Sequence, residues 1–360
     1  MLRILYGTAG TGKSAAIMDE IRRGADSGER YILLVPEQYS HEAERELCAV
    51  CGDGLSLYAE VLSFTGLARE ISSECGGAAN EYLDKGGRLL CMALAADGLY
   101  SRLRVYGAAR RKAELQTMLL GAVDEFKSAC VTSERLMQAS EACEGALGDK
   151  LHDLGLILEA YDGVVANGRA DPSDRLSVLA QQIGQCSMSE RTHVFVDGFT
   201  DFTAQERRVL EALLSKGVCL TVCLGCDELH GGSEVFALSR ITASALLKFA
   251  ADNGIKAQTE RFGGESTKAK PLGEFAENMF SYRAVEAGDA QGRIKIISAA
   301  DTNAECEFAA AEAVSLVRDT GCRWRDIAVC AKGFDDYRLP LESAFSRFGA
   351  PIYTARKADM

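Results

Sequence analysis

The order of apolar and polar positions divides the chain into three kinds of stretch. In the first, short continuous apolar runs alternate with amphipathic ones. Leu2 to Tyr6 predicts a strand entering a glycine-rich turn, Gly7 to Gly12, and Ser14 to Arg23 has helical spacing. Tyr31 to Val35 (YILLV) is apolar throughout, as in a strand covered on both faces. Pro36 ends that run, Tyr39 to Val50 reads as a helix, and Leu55 to Leu62 is a further strand-like piece. Strands alternating with helices predict right-handed crossovers and a mostly parallel sheet.

From about Phe64 to Arg191 the strand-like runs nearly vanish. Helical periodicity dominates Leu89 to Leu103, Ala113 to Phe126, Ser133 to Leu147 and Leu151 to Val165. Asp171-Pro172-Ser173-Asp174 reads as a turn and cap before a helix over Leu176 to Ile183. The strand signal then returns. His193 to Val196 leads to Asp197, and Val218 to Leu224 is a second buried run. Arg293 to Ile297 and Ile327 to Cys330 follow, each before helical spacing (Glu305 to Val317, Tyr337 to Phe348). Gly263 to Lys270 is a polar surface loop, and Pro351 to Tyr353 is a last apparent strand. Because Met360 follows it so closely, the chain reads as part of a longer protein. The expected division is an α/β core in two parts, 1–64 and 192–285, split by a helical insertion, 65–191, with a second α/β domain beginning at 286–360.

Composition narrows the class. The 360 residues carry 52 acidic and 40 basic side chains, a formal net charge of −12, with 47% hydrophobic and 26% charged residues. That is an ordinary globular composition and excludes a disordered or collagen-like chain. No apolar run reaches the roughly 18 residues a membrane helix needs, and no signal peptide is evident, so a cytoplasmic protein is expected. The acidic balance argues against nucleic-acid binding driven by overall charge but leaves local patches open. The densest patch is Arg102, Arg104, Arg110, Arg111 and Lys112, either a solvated helix face or a surface for phosphates.

The 13 cysteines scatter through apolar segments, as reduced thiols do. Cys48 and Cys51 form a CxxC inside a helical stretch with no second pair. Cys219, Cys223 and Cys226 mimic a cluster motif, yet CLTVCL is a buried-strand pattern, and a cluster needs a loop to gather its thiolates. Structural packing is the expected role.

The strongest chemistry lies in Gly7-Thr8-Ala9-Gly10-Thr11-Gly12-Lys13-Ser14, which satisfies GxxxxGK[ST] between a predicted strand and a predicted helix. Glycines let the backbone wrap a phosphate with several N–H groups pointing inward, and the helix N-terminus adds partial positive charge. Lys13 is expected to reach the terminal phosphates of ATP, and the Ser14 hydroxyl to ligate Mg²⁺. Asp197, at the end of a core strand, is the candidate for positioning that metal ion. Translocating ATPases usually follow this aspartate with a glutamate that activates water; here Gly198 follows. Glu206 is near in sequence but reads, with Asp201, as part of a loop and helix start. The sequence therefore supports ATP binding better than hydrolysis, since base catalysis contributes about 10²–10⁴-fold.

With these pieces placed, the chain resembles a known family. LYGTAGTGKS (5–14), LLVPEQYSHEAEREL (33–47), VLSFTGLARE (61–70) and VFVDGFTDFTAQE (194–206) look like the N-terminal part of AddB, called RexB in some bacteria. Members are the B subunit of a heterodimeric ATP-dependent helicase–nuclease that processes double-strand DNA breaks. More broadly, the layout is similar to superfamily-one helicases of the UvrD type. The resemblance implies a P-loop NTPase sheet (helicase domain 1A), a helical 1B-like insertion, and entry into a second helicase-like domain. It also implies an AddA-type helicase–nuclease partner, single-stranded DNA and duplex ends as ligands, and an iron–sulfur cluster and nuclease confined to a C-terminal part beyond these residues. By matching position it implies DNA contacts from Gln38, Tyr39, Ser63 and Phe64, with Phe64 as a base-stacking ring, and a nucleotide contact from Lys332 where helicases carry an arginine. Leu224-Gly225-Cys226-Asp227-Glu228 sits where a coupling glutamine is usual, and it is absent. No adenine-recognising glutamine motif precedes Leu2. The departures agree in implying a motor fold that keeps its phosphate loop and loses parts of the engine. A stand-alone P-loop NTPase or small-molecule kinase, and a scaffold with a vestigial P-loop, are the competing readings.

Overall fold

The computed structural model describes residues 1–52, 54–76, 82–263, 270–279 and 292–354. They divide into two compact units, 1–285 and 286–360.

The first unit is built on a parallel sheet of six strands: β1 (Leu2–Gly7), β2 (Arg30–Leu34), β3 (Ala59–Leu62), β4 (Thr192–Val196), β5 (Cys219–Gly225) and β6 (Ala257–Arg261). Their spatial order is β3-β2-β4-β5-β1-β6. Side chains leave alternate faces of a strand, and both faces here are covered. Leu5, Leu33, Phe195 and Cys223 point to one face, where α1 (Lys13–Arg23) adds Ile17 and Ile21 and α2 (Ser40–Cys51) adds Ala43 and Leu47. Ile4, Ile32, Leu34, Val194, Val196, Leu220 and Val222 point to the other. That face is covered by α3 (Phe64–Glu74), α8 (Arg175–Gln182), α9 (Ala204–Ser215) and α10 (Ala237–Asp252), and a further helix, α11 (Lys270–Asn278), comes after β6 in the chain. The continuous apolar runs of β2 and β5 follow from this double burial.

The β3-to-β4 connection holds the helical insertion. Its four helices, α4 (Lys85–Gly98), α5 (Ala113–Ser128), α6 (Ser133–Ala142) and α7 (Ala146–Val165), share a core of their own around Met92, Leu120, Leu156 and Tyr161. A parallel bridge between Tyr82 and Ala170 joins the two ends of the excursion. Beneath α5 the buried Lys127 ammonium meets Asp162, Asp171 and Asp174 at 2.8, 3.2 and 2.7 Å. Burial opposes its charge, but the three carboxylates outweigh burial and hold its pKa above the ordinary lysine value.

Several expectations are corrected. The helix predicted to reach Leu103 ends at Gly98, and an irregular loop follows. Leu55 to Leu62 splits into a 3₁₀ turn (Leu55–Leu57) and β3. The edge strand β6, AQTER, is exposed at every position and shows no apolar alternation, so periodicity gave no signal for it. Most of the loop expected over Gly263 to Lys270 lies outside the described residues.

The second unit packs α12 (Thr302–Thr320) on α13 (Phe334–Arg347) through Cys306, Ala310 and Ala313 against Leu341, Ala344 and Phe345. The strands expected at Arg293 to Ile297, Ile327 to Cys330 and Pro351 to Tyr353 do not form. An apolar run becomes a strand only where another strand accepts its hydrogen bonds, and among the described residues none of the three is so paired. Ile296 and Tyr353 accordingly stand 95% and 91% exposed.

Candidate functional site

The site lies beyond the carboxyl ends of β1, β4 and β5, the end of an open α/β sheet at which ligands bind. From β1 the chain turns through 8–12 into α1. Gly10 and Gly12 have φ of 81° and 87°, a left-handed conformation that L side chains reach only at a cost. Gly12 is the N-cap of α1, and a Cβ placed on it would meet nothing within 4 Å. Gly7 is needed for a different reason: a Cβ there would overlap the Phe262 carbonyl oxygen after β6. The loop is thus fixed by backbone geometry.

Lys13 folds back across this loop. Its Nζ donates to the carbonyl oxygens of Gly7 and Thr8 at 2.7 and 2.9 Å and to Thr11 Oγ1 at 3.3 Å, and Thr11 Oγ1 donates to the Thr8 carbonyl at 2.9 Å. Burial holds the Lys13 ammonium below its ordinary pKa, opposed by the negative charge of Asp197. Ser14 is exposed in the first turn of α1. A cavity of about 280 Å³ opens beside the loop, lined by Gly7, Thr8 and Thr11 on one side and by Asp227, Arg261 and Phe262 on the other.

Asp197 follows β4 directly, its N–H bonded to the Leu34 carbonyl at 3.0 Å. Strand β5 lies between β4 and β1, and its register sets Val222 opposite Val196 and Cys223 opposite Leu5. One residue on, Asp197 therefore falls beside Cys223. Burial, then the Asp197 charge, pushes the Cys223 thiol well above its ordinary pKa, so it is a packed thiol and not a reactive thiolate. Gly198 has φ 81°, and a Cβ on it would lie 3.2 Å from Pro36 Cδ. Glu206 forms the capping box of α9 with Thr203, as a helix-start residue does. Asp227 organises the turn after β5 by accepting the N–H groups of Glu228 and Ser233 at 2.8 and 2.7 Å.

The remaining candidates are placed as follows. Gln38 is exposed beyond β2, and Tyr39 is half-buried with its hydroxyl donating to Glu46 at 2.9 Å. Burial and that carboxylate push the Tyr39 phenol up to about 12. Ser63 is buried as the N-cap of α3, accepting the Gly66 N–H at 3.0 Å. Phe64 is 5% exposed inside the main core, edge-on to Phe199 and Phe202 with ring centroids 5.5 and 6.3 Å away. Its ring is a core ring here. Phe199 and Phe202, half-buried just after Asp197, were not singled out by sequence reasoning, although their DGFTDFT spacing carried the signal. Lys332 is in the second unit, just before α13.

All 13 cysteines are free thiols. CLTVCL is indeed strand β5, with Cys223 buried. Among the described residues no group of three or more His, Cys, Asp or Glu side chains is arranged to hold a metal ion. No helix among them is long and apolar enough to cross a membrane.

Comparison with known proteins adds a family. A family model described as "ADDB, N-terminal" matches residues 4–275. The chain is similar to the B subunit of the ATP-dependent helicase/deoxyribonuclease of Acetivibrio thermocellus, 29% identical over 375 residues that cover 100% of this chain and 32% of the relative. The protein of the same name from Desulforudis audaxviator is 33% identical over 372 residues, covering 99% of this chain and 32% of the relative. That from Heliobacterium modesticaldum is 33% identical over 377 residues, covering 99% and 31%. The chain thus spans about a third of the length of these curated relatives.

Proposed function

This chain belongs to the AddB N-terminal family, and from that premise we propose that it is the nucleotide-binding, helicase-like region of the B subunit of an ATP-dependent helicase–deoxyribonuclease that repairs double-strand breaks. In this reading the six-stranded sheet with α1–α3 and α8–α10 forms the P-loop core, α4–α7 form a 1B-like insertion narrower than the expected 65–191 because α3 and α8 pack on the sheet, and 286–360 are the start of the second motor-like domain. Gly7 to Ser14 hold the phosphates of ATP, Lys13 neutralises the terminal ones, and Ser14 and Asp197 hold Mg²⁺. Gln38 and Tyr39 touch single-stranded DNA, and Ser63 and Phe64 support that surface from the core side. An AddA-type subunit is the partner, and the nuclease and iron–sulfur cluster lie elsewhere in the protein.

The observation that carries the reading is the loop itself. A strand enters it, two left-handed glycines shape it, a helix N-terminus closes it, and an ammonium group rests on two of its carbonyl oxygens. Those oxygens are a neutral substitute for phosphate, which Lys13 binds more strongly because the hydrogen bond is then charged at both ends. Bound Mg²⁺ adds further positive charge at the terminal phosphates. Asp197 lies two strands from the loop, with β5 between, and Ser14 is exposed in the first turn of α1. The residues present fit ATP·Mg²⁺.

Hydrolysis is a different matter. Glu206 is committed to its capping box, and position 198 has no side chain. The chain is therefore proposed to bind ATP without turning it over as a motor. Titration of ATP·Mg²⁺ into wild type and Lys13→Ala, followed by calorimetry, tests the site: at least tenfold weaker binding by the variant is expected, and equal binding removes the assignment.

A further inference from the structure

The loop joining α4 to α5, residues 99–112, carries five basic side chains and no acidic one in a chain of net charge −12. The structure shows it to be pinned. Asp153, fully buried on α7, accepts the backbone N–H groups of Arg104, Val105 and Tyr106 at 2.9, 2.7 and 3.1 Å. Burial opposes its ionisation, but the three donors prevail and hold its carboxyl below the ordinary aspartate pKa. Gly107 approaches the start of the loop so closely that a Cβ there would lie 3.2 Å from the Tyr100 carbonyl oxygen. The Arg110 guanidinium lies 3.8 Å from the centre of the Tyr100 ring, and Gln116 Nε2 donates to the Arg110 carbonyl at 3.0 Å. The two arms are thereby drawn together, and the basic residues with them.

Charge pairing inside the loop is incomplete. Arg110 and Arg111 share Asp97, at 3.0 and 3.1 Å, and Arg104 pairs with Asp149 at 2.9 Å. Arg102 and Lys112 are exposed and have no acidic partner among the described residues. We propose that loop 99–112 is a contact for the phosphodiester backbone, through which the helical insertion holds a nucleic-acid strand. Arg102 and Lys112 supply unneutralised charge, and Arg104 and Arg111 stand exposed beside them. Arg110 covers the face of Tyr100, so the loop offers phosphate contacts without a base platform. Such contacts position a strand and do not read its sequence. A loop already ordered by Asp153 also loses little conformational freedom on binding.

The inference rests on the DNA-contact reading above and extends it to an element which that reading leaves unused. The test compares Arg102→Glu/Lys112→Glu with Arg208→Glu/Lys248→Glu, an equal charge change at positions of α9 and α10. Fluorescence anisotropy with labelled single-stranded and duplex oligonucleotides, across a salt series, reads affinity. The loop variant should bind at least tenfold more weakly than the control variant, for single strand, duplex or both. On single strands its log–log salt slope should be smaller by about 1.4, roughly 0.7 for each phosphate no longer neutralised. Equal affinity and slope in the two variants overturn the proposal while leaving DNA binding in place. Competition by polyglutamate as effective as that by unlabelled oligonucleotide also overturns it, in favour of an acidic protein surface. Wild type that binds no oligonucleotide overturns both this inference and the DNA-contact reading.

Discussion

Replacing Gly198 with glutamate restores the side chain that translocating ATPases place after their metal-positioning aspartate, and it is expected to fail as a gain of function. Gly198 has φ 81°, where an L residue costs about 1–2 kcal/mol. A Cβ would also lie 3.2 Å from Pro36 Cδ and 3.9 Å from Tyr39 Cδ1. Either the 36–39 loop moves, or the backbone rotates and carries the adjacent Asp197 away from its bond to Leu34. With about 1–3 kcal/mol for a residue held in a sparsely populated conformation, Gly198→Ala and Gly198→Glu should lose similar stability. Alanine already contains the whole backbone effect. A working general base would raise turnover by about 10²–10⁴-fold, whereas less than about tenfold is expected here. Urea denaturation of wild type and both variants, with phosphate release measured with and without single-stranded DNA, makes the check. A glutamate variant as stable as wild type and about a hundredfold faster would refute the reasoning, because position 198 would not then be committed to glycine.

Two other outcomes follow from buried charges in the helical insertion. Lys127→Met removes one of the two cations at the buried Asp171 and leaves Arg88, at 3.0 Å, so a loss of about 1–3 kcal/mol is expected in urea denaturation; a loss under about 0.5 kcal/mol would show that Arg88 alone satisfies the carboxylate. Acidification should also weaken this unit. The pKa values of Asp153 and Asp171 are held below the ordinary 3.8, in each case by hydrogen bonds and, for Asp171, nearby cations that outweigh burial. Their stabilisation is then complete above 3.8 and is lost as pH falls through the depressed values. Thermal unfolding of wild type and Asp153→Asn between neutral pH and about pH 3 checks the sign, since the variant should show a shallower acid limb; parallel limbs count against it.

Much of the α/β core was legible because double burial writes itself as unbroken apolar runs: YILLV is β2 without Arg30 and with the residue after it, and CLTVCL is most of β5. The tight turn between β1 and α1 was legible because glycine has few substitutes where φ is positive, as at Gly10 and Gly12. What escaped was whatever depends on a distant partner. Strand β6 is held by its ladder to β1 and carries no apolar pattern of its own. The runs at 293–297, 327–330 and 351–353 carry the pattern and have no ladder among the described residues. The basic residues of 99–112 read as either a helix face or a surface for phosphates, because the feature that shapes them, Asp153, is 47 to 49 positions away from the N–H groups it accepts. Phe64 shows the converse limit: local sequence cannot separate a stacking ring from a core ring, and only its enclosure by Phe199 and Phe202 does.

The strand order bears on how such a chain is made. β1 leaves the ribosome well before both of its sheet neighbours, β5 and β6, which are translated more than two hundred residues later. Until residue 225 has emerged, the opening strand has no ladder to join, and Leu2, Ile4 and Leu5 remain without their final cover. The intervening helices can form a core of their own in the meantime. Nascent chains that end before residue 225 should therefore engage holding chaperones through β1, and release should coincide with the emergence of β5.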